Sequence, residues 1–500
     1  MSKLRRIKVT SKKDKLVLPR TYKVEVKVRT FLTGPGTWII EDTLLKRFLL
    51  LRVLVLNCTL VKSVPDYIGA LLHLCLLDLC NTCISCLPES IGSLKNLQVL
   101  SLRHCSALHS LSSGLTRLCS LQYLDLVGAQ ITQVPKGIGK LKFLTRLQGF
   151  PVGGGSDSAC VQNGWKLEEL FSMSQMRFLY LSNLERVAHC STNTVLTDKK
   201  HLKELVLVWK CTDGLHLEEE DVSNTEKVFE QLIPPSNLES LYISQFFGKR
   251  YPTWFDTTYL SSLMHLVLAK LQSCVDLPPI GQLPNLKFLR IDGAHAVTKV
   301  GPEFVGCKNG DPVCNELVAF PKLEWLIFEN MPNWEEWSFF EEEVAADDLR
   351  GEDGAAEIQK KDAQSARVQL LPRLVKLQLI GCPKLRALPQ QLGEDTACLK
   401  ALGLRDLNNL KAVEDLPLLS ELLSIKDCEG LERICNLPQV SELRVGGCPN
   451  LSHVEGLGSL QQLGRGEDMQ EISSQWVPGL QEQYQRLHGE DLDVYTLSIS

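Results

Sequence analysis

The chain has 500 residues, of which 44% are hydrophobic and 23% charged, and its formal net charge is −5. These values describe an ordinary folded protein and exclude a wholly disordered one. They show no basic excess of the kind that would indicate a nucleic-acid partner.

The N-terminal region, residues 1–47, is predicted to form a cap with the first irregular repeats, because Tyr22 to Arg29 alternates like a strand. The charged start is followed by no apolar stretch of signal-peptide length. The most apolar run, Phe48 to Leu56, is interrupted by Arg52 and is far shorter than the roughly 20 residues of a membrane span. We therefore expect a protein of the cytoplasm, or of cytoplasm and nucleus, whose 18 cysteines are mostly reduced.

Residues 48–150 contain a regular repeat. The pattern L-x-x-L-x-L recurs in steps of 23, 23, 24 and 23 residues, at Leu51/Leu54/Leu56, Leu74/Leu77/Leu79, Leu97/Leu100/Leu102, Leu121/Leu124/Leu126 and, in part, Leu144/Leu147. This period lies within the roughly 20–29 residues of leucine-rich repeats. It predicts an α/β repeat solenoid, a horseshoe with a concave parallel β-sheet and a mostly irregular or short-helical convex side.

A second element stands between the predicted strands. It reads Val-Pro or Leu-Pro and then Ile-Gly, at Val64-Pro65…Ile68-Gly69, Leu87-Pro88…Ile91-Gly92 and Val134-Pro135…Ile138-Gly139. The proline fixes φ and cannot donate to a sheet, and we interpret the glycine as freeing the return path to turn toward the next strand.

After residue 150 the period loosens. Residues 151–165, with a Gly/Ser stretch from Gly153 to Ser158, are predicted to form a flexible loop. Residues 166–340 are predicted as irregular leucine-rich repeats, 341–367 as an acidic disordered insertion, 368–465 as C-terminal repeats and 466–500 as a C-terminal tail or cap.

Cys80, Cys83 and Cys86 have a spacing that could hold zinc, with His104 and Cys105 nearby in sequence. The repeat offers a better explanation, since one cysteine position follows the strand at the inward-facing turn of the repeat, at Cys105, Cys382, Cys428 and Cys448. We expect these cysteines to be buried and to pack as small apolar side chains.

No catalytic or nucleotide-binding motif is found. Gly139-Lys140 is followed by leucine where a phosphate-binding loop needs Ser or Thr, and neither H-E-x-x-H nor G-x-S-x-G occurs. We predict a protein that is not an enzyme and has no catalytic residue, metal or cofactor.

The candidate binding surface follows from strand alternation. Residues between the inward leucines should face the concave side, and aromatic and arginine side chains there are common interface anchors. The candidates are Arg103, Tyr123, Asp125, Phe288, Arg290, Asp292, Trp325, Glu329, Lys376, Arg405, Lys426 and Arg444. For any single candidate, an ordinary solvated sheet face is the alternative interpretation.

The last four candidates share a positive charge. If Lys376, Arg405, Lys426 and Arg444 occupy equivalent positions, they form a basic stripe on the C-terminal strands. The acidic insertion precedes this block, so we hypothesise that it folds over the stripe and competes with an acidic partner.

Several strings resemble the repeat region of plant nucleotide-binding leucine-rich-repeat disease resistance proteins. They are Leu277-Pro-Pro-Ile-Gly-Gln-Leu-Pro-Asn-Leu-Lys287, Phe320-Pro-Lys-Leu-Glu324, Met331-Pro-Asn-Trp-Glu-Glu-Trp337 and Cys382-Pro-Lys-Leu385. Gln475-Trp-Val-Pro-Gly-Leu480 and Leu487-His-Gly-Glu-Asp-Leu-Asp493 resemble the ends of cereal members of the coiled-coil class.

The resemblance implies a recognition module of plant innate immunity. Its partners would be a pathogen effector or a guarded host protein, and a nucleotide-binding switch domain that it restrains. Family members normally carry that switch before the repeats, and this chain starts where their repeats start. Three interpretations of the chain follow: a truncated gene product, a decoy, or a partner that acts on the switch in trans. The C-terminal block is the expected recognition region.

Two alternatives remain. A general intracellular leucine-rich-repeat scaffold or adaptor is compatible with the same repeats. An extracellular receptor domain would need a signal peptide and disulfide-bonded caps, which the sequence does not indicate.

Overall fold

A computed structural model describes residues 5–9, 27–34, 46–57, 60–153, 161–187, 195–210, 219–255, 259–306, 318–339 and 369–497. The predicted acidic insertion at 341–367 lies outside these residues, as do residues 154–160 of the predicted loop and much of the predicted cap at 1–47. The chain divides into an N-terminal unit, Met1–Phe246, and a C-terminal unit, Phe247–Ser500.

The N-terminal unit contains twelve strands among its described residues. They are β1 (Arg6–Val9), β2 (Thr30–Thr33), β3 (Val53–Val55), β4 (Leu76–Asp78), β5 (Val99–Ser101), β6 (Tyr123–Asp125), β7 (Val134–Pro135), β8 (Arg146–Pro151), β9 (Val161–Gln162), β10 (Phe178–Ser182), β11 (Glu204–Val208) and β12 (Ser240–Ser244). All except β7 and β9 join one parallel sheet in chain order. Strands β7 and β9 form a separate antiparallel pair.

Short 3₁₀ helices carry the chain back between strands of this unit. They span Asp66–Ala70, Glu89–Ser93, Ser113–Arg117, Ile138–Lys140, Leu167–Leu170 and Leu184–Arg186. One longer helix, α1 (Glu219–Gln231), packs Phe229 against Trp209 and Phe246, with ring centroids 4.8 to 5.1 Å apart.

The C-terminal unit continues the pattern. Its strands are β13 (His265–Ala269), β14 (Phe288–Asp292), β15 (Lys299–Val300), β16 (Val318–Ala319), β17 (Trp325–Glu329), β18 (Glu336–Trp337), β19 (Gln369–Leu370), β20 (Lys376–Ile380), β21 (Ala401–Arg405), β22 (Ala412–Glu414), β23 (Leu422–Lys426), β24 (Arg433–Cys435), β25 (Glu442–Gly446), β26 (His453–Val454), β27 (Gln462–Gly466) and β28 (Asp493–Leu497). The main parallel sheet has the order β13-β14-β17-β20-β21-β23-β25-β27-β28.

Smaller parallel pairings, β15–β18, β16–β19 and β22–β24–β26, lie outside this main sheet. The helices are α2 (Pro302–Val305), α3 (Gln391–Asp395), α4 (Gln470–Ser473) and α5 (Val477–His488), with a 3₁₀ turn at Glu467–Met469. None of the helices that the structure describes is long and apolar enough to cross a membrane.

The predicted repeat fold is confirmed. Every L-x-x-L-x-L segment identified in the sequence from residue 51 to 150 contributes one strand of a parallel sheet, and its leucines are buried, as at Leu97, Leu100 and Leu102 with 0% exposure each. Because each strand pairs only with its neighbours in the array, burial accumulates one repeat at a time.

In the first two repeats that carry it, the Pro and Ile-Gly element forms the start and middle of the 3₁₀ helices, whereas Pro135 lies in β7. Pro65 and Pro88 stand at their N-caps, with φ of −69° and −70°. A Cβ on Gly69 would lie 2.6 Å from Ser90 O of the next repeat. The glycine is therefore required by the close approach of neighbouring repeats, and not by the freedom to turn that the sequence interpretation assigned to it.

The prediction of inward-facing cysteines is also confirmed, since Cys105, Cys382, Cys428 and Cys448 are all 0% exposed. Burial raises the pKa of the Cys382 thiol to about 12. By contrast, Cys83 and Cys86 are exposed. In the part of the chain that the structure describes, no three His, Cys, Asp or Glu residues are grouped to hold a metal ion.

Lys199 occupies a core position that leucine takes in the regular repeats, as Leu94 does in one of them. Lys199 is 2% exposed, and its ammonium group donates to Leu170 O at 2.6 Å and Met173 O at 3.2 Å. Desolvation by burial lowers the pKa of Lys199 to about 8, from 10.5. The neighbouring Asp198 offsets part of this effect.

Replacing Lys199 with methionine should raise the free energy of unfolding at pH 7 by about 2 kcal/mol, because the cost of burying a charge exceeds that of the lost hydrogen bonds. Since the folded-state pKa is the lower one, the native wild type should gain stability as pH rises from about 8 to 10.5. Urea unfolding of both proteins at pH 7 and pH 10 measures the difference in their free energies of unfolding, which should be smaller at pH 10. A variant that is less stable than wild type at pH 7 would show that the lysine stabilises the fold.

Candidate protein-recognition surface

The outward face of each main sheet is the side opposite the buried leucines. In the five-residue strands, the first, third and fifth residues lie on this face, and the in-register pairing aligns them into rows across neighbouring strands. Each row therefore places side chains from several repeats next to one another, about 5 Å apart from strand to strand.

The C-terminal unit carries an aromatic and cationic group in its first row. Phe288, Trp325 and Lys376 occupy aligned first positions of β14, β17 and β20. Trp325 is 42% exposed, and the Lys376 ammonium lies 4.9 Å from the centroid of its ring. His265 lies beside Phe288, with ring centroids 6.3 Å apart. These side chains form the first-row cluster.

Arg290 is the centre of an ion cluster on the same face. Its Nη2 lies 2.7 Å from Glu329 Oε2 and 3.2 Å from Asp292 Oδ2. Asn330 donates to the other Asp292 oxygen at 2.9 Å. Because the three charged side chains are about one quarter to two fifths exposed, the pairs contribute little to stability, but they hold Arg290 in one orientation.

The predicted basic stripe is wrong. Lys376 is the first residue of its strand and Arg444 the third, whereas Arg405 and Lys426 pair with each other at fifth positions. Alternation distinguishes inward from outward residues, but it does not distinguish the outward rows, which are about 7 Å apart.

Two of these cations are also paired with acids. Arg444 Nε lies 2.7 Å from Glu442 Oε1, and Arg405 Nε lies 3.4 Å from Asp406 Oδ2 and 4.0 Å from Asp427 Oδ2. The four predicted cations therefore do not form one continuous positive surface.

In the N-terminal unit, Asp125 is not the exposed residue that the sequence predicted. It is 2% exposed, and its Oδ1 accepts a hydrogen bond from the Val127 backbone at 3.0 Å. Its Oδ2 accepts from Tyr123 Oη at 3.1 Å and lies 3.8 Å from Arg103 Nη1. Asp125 therefore closes the turn after β6, a frequent role for aspartate.

Tyr123 is fixed by the same carboxylate. Burial and the neighbouring Asp125 charge raise the pKa of Tyr123 to about 12. Arg103 remains 46% exposed. Of the three N-terminal candidates, Arg103 is thus the one whose charged group remains most available to a partner.

Sequence reasoning missed an aromatic group on this face. Phe178, Tyr180 and Tyr242 project from β10 and β12, and Tyr180 and Tyr242 flank Val206 in one row. The Arg146 guanidinium lies 4.7 Å from the Phe178 ring centroid. The signal was present, because these aromatic residues alternate with the core leucines of repeats that the sequence analysis identified.

The sequence profile of the family described as "Leucine-rich repeat region" matches residues 27–415. The chain belongs to this family of leucine-rich-repeat proteins.

Its relatives are plant disease resistance proteins. RPP13-like protein 1 of Arabidopsis thaliana is 31% identical over 69% of the chain and 31% of its own length. Disease resistance protein RGA2 of Solanum bulbocastanum is 30% identical over 73% of the chain and 36% of its own length. The chain therefore spans about a third of the length of these relatives, and the predicted resemblance to plant resistance proteins is confirmed.

Among solved structures, a leucine-rich-repeat protein of Leptospira interrogans aligns with a TM-score of 0.49 and 17% identity. The alignment covers 98% of this chain and 90% of that protein.

Proposed function

We propose that the chain is a non-enzymatic recognition module of plant innate immunity. It binds a pathogen effector, or a host protein that an effector modifies, and restrains a nucleotide-binding switch domain supplied by a partner. It acts in the cytoplasm, or in both cytoplasm and nucleus. The relationship to plant disease resistance proteins supports this role.

The observation that carries the proposal is the exposure of Trp325 on β17, a strand paired on both sides within the sheet. At 42% exposure, the Trp325 side chain leaves apolar surface in contact with water in the free protein. Tryptophan is also among the residues that most often dominate binding energies at protein interfaces. Phe288 and Lys376 flank it at fixed positions. The first-row cluster is therefore preorganised for a partner with a complementary apolar surface.

Replacing Trp325 with alanine should weaken association with the immune ligand by at least 2 kcal/mol, about thirtyfold, because it removes a central interface tryptophan. The full chain, expressed in leaf tissue with candidate effectors, is assayed by co-precipitation and then by titration with the purified ligand. Phe143→Ala is the matched control, since Phe143 is 63% exposed but lies outside the sheet strands.

The restraint of a switch is tested separately. Co-expression with the nucleotide-binding domain of a plant resistance protein should give specific association and reduced cell death. Binding to unrelated host proteins, with no association and no effect on cell death, would contradict the proposal and favour the general scaffold.

A further inference from the structure

Two hollows on the outward side of the N-terminal unit share lining residues. One, of about 370 Å³, lies on the sheet face, and the other, of about 250 Å³, lies where the strands pass into loops. Val127 and Tyr180 line both. We call the combined depression the N-terminal groove, since it runs along the direction of β10 from Phe178 toward Arg186.

A β-bulge lies at the centre of this groove. Between the pairs Leu147–Leu179 and Phe150–Leu181, two residues of β8 oppose the single residue Tyr180 of β10. The extra residue is accommodated at Gly149, whose φ is +79°. A Cβ at Gly149 would lie 3.0 Å from the Val127 backbone nitrogen. Bulges redirect side chains and interrupt pairing, so the groove is a built irregularity of an otherwise regular sheet.

The sheet end of the groove is aromatic. Phe178 and Tyr180 are half-buried and Tyr242 is 37% exposed. Within the described residues, neither tyrosine hydroxyl has a hydrogen-bond partner. Burial raises the pKa of Tyr180, so its phenol stays neutral and can donate to an acceptor such as a carboxylate or a carbonyl.

The groove is lined by cations and by no acid. Arg103 stands at the sheet end, and Arg186 and Lys210 stand at the loop end. Glu185, which precedes Arg186 in the chain, is half-buried. Its carboxylate accepts a hydrogen bond from the Lys210 backbone N–H at 2.8 Å and lies 3.6 Å from Arg186 Nε. No aspartate or glutamate is among the residues lining either hollow. The lining therefore favours an anionic partner group at the loop end.

We propose that the N-terminal groove binds a short acidic segment of a partner protein, with one large apolar side chain in the aromatic hollow and a carboxylate at Arg186 and Lys210. The inference rests on the proposed recognition function and adds a second surface and a partner chemistry to it. From Phe178 to Ser182 the strand covers about 13 Å, so the carboxylate should follow the apolar residue by about three or four positions in an extended segment.

The test uses a fluorescently labelled peptide and the full chain. The probe is a Gly/Ser decapeptide with one tryptophan and aspartates at the third and fourth positions after it. One twin carries lysines in place of the aspartates, and another carries serine in place of tryptophan. By fluorescence anisotropy, we expect the probe to bind at least tenfold more tightly than either twin, with an affinity that falls as salt is raised.

Chain variants locate the binding. Tyr242→Ala and Arg186→Glu should each weaken probe binding at least tenfold. Arg486→Glu makes the same charge change at a residue whose side chain is 72% exposed on α5, and it should bind as wild type does.

Equal binding of the lysine twin, no measurable binding of the probe at millimolar concentration, or retention of binding in both groove variants would overturn the inference. Trp325→Ala should leave probe binding unchanged. Failure of this inference is therefore distinguishable from failure of the proposed immune function, which is measured by ligand association of the Trp325→Ala variant and by cell death on co-expression.

Discussion

Replacing Trp334 with alanine should lower the free energy of unfolding of the C-terminal unit by about 3–5 kcal/mol. Trp334 is 0% exposed, and its ring centroid lies 4.8 Å from that of Phe328 and 5.2 Å from that of Trp337. Its Nε1 donates to Glu336 O at 2.7 Å, and the variant leaves this carbonyl without that donor. Urea unfolding of the full chain, followed by circular dichroism, measures the loss.

Two comparisons isolate the cause. Trp334→Phe keeps an aromatic ring in the cluster and should lose less, about 1–2 kcal/mol. Trp325→Ala removes an exposed tryptophan from the same repeat and should change stability by less than about 1 kcal/mol. A loss below 1 kcal/mol for Trp334→Ala would contradict the assignment of this tryptophan to the core.

The second prediction with a large effect is Gly114→Ala, which should lower the free energy of unfolding by about 2–3 kcal/mol. The added Cβ would lie 2.6 Å from Glu89 O and 3.1 Å from Gly92 N, both backbone atoms of the preceding repeat. Neither atom can move away by a side-chain rotation, so two 3₁₀ helices must separate. Thermal and urea unfolding of the full chain measure the change.

Gly479→Ala is the matched control. Gly479 lies in α5, and a Cβ there would have nothing within 4 Å. Alanine is a better helix former than glycine, so stability should be unchanged or should rise by up to about 1 kcal/mol. Equal destabilisation by both substitutions would show that the contact with Glu89 is not responsible.

The repeat fold could be predicted from sequence because its signal is redundant. Each buried leucine appears at the same offset in many units, so an error at one unit does not change the interpretation. The same redundancy located the inward cysteines, since Cys105 and Cys448 follow their strands at the same offset.

The candidate surface was less predictable, because it depends on register and local hydrogen bonds. Alternation correctly placed Trp325 outward, but it could not show that Asp125 folds back on the Val127 amide or that Arg405 and Arg444 lie in different rows. The bulge at Gly149 depends on how β8 pairs with β10, which no local pattern reveals.

The alternation within β17 separates two kinds of evolutionary constraint. Leu326 and Phe328 face the core with exposures of 1% and 0%, while Trp325, between Glu324 and Leu326 in sequence, is 42% exposed. Substitutions at the inward residues are limited by folding, whereas substitutions at exposed outward residues change stability little. The chemistry of the outward rows can therefore change while the buried scaffold stays intact.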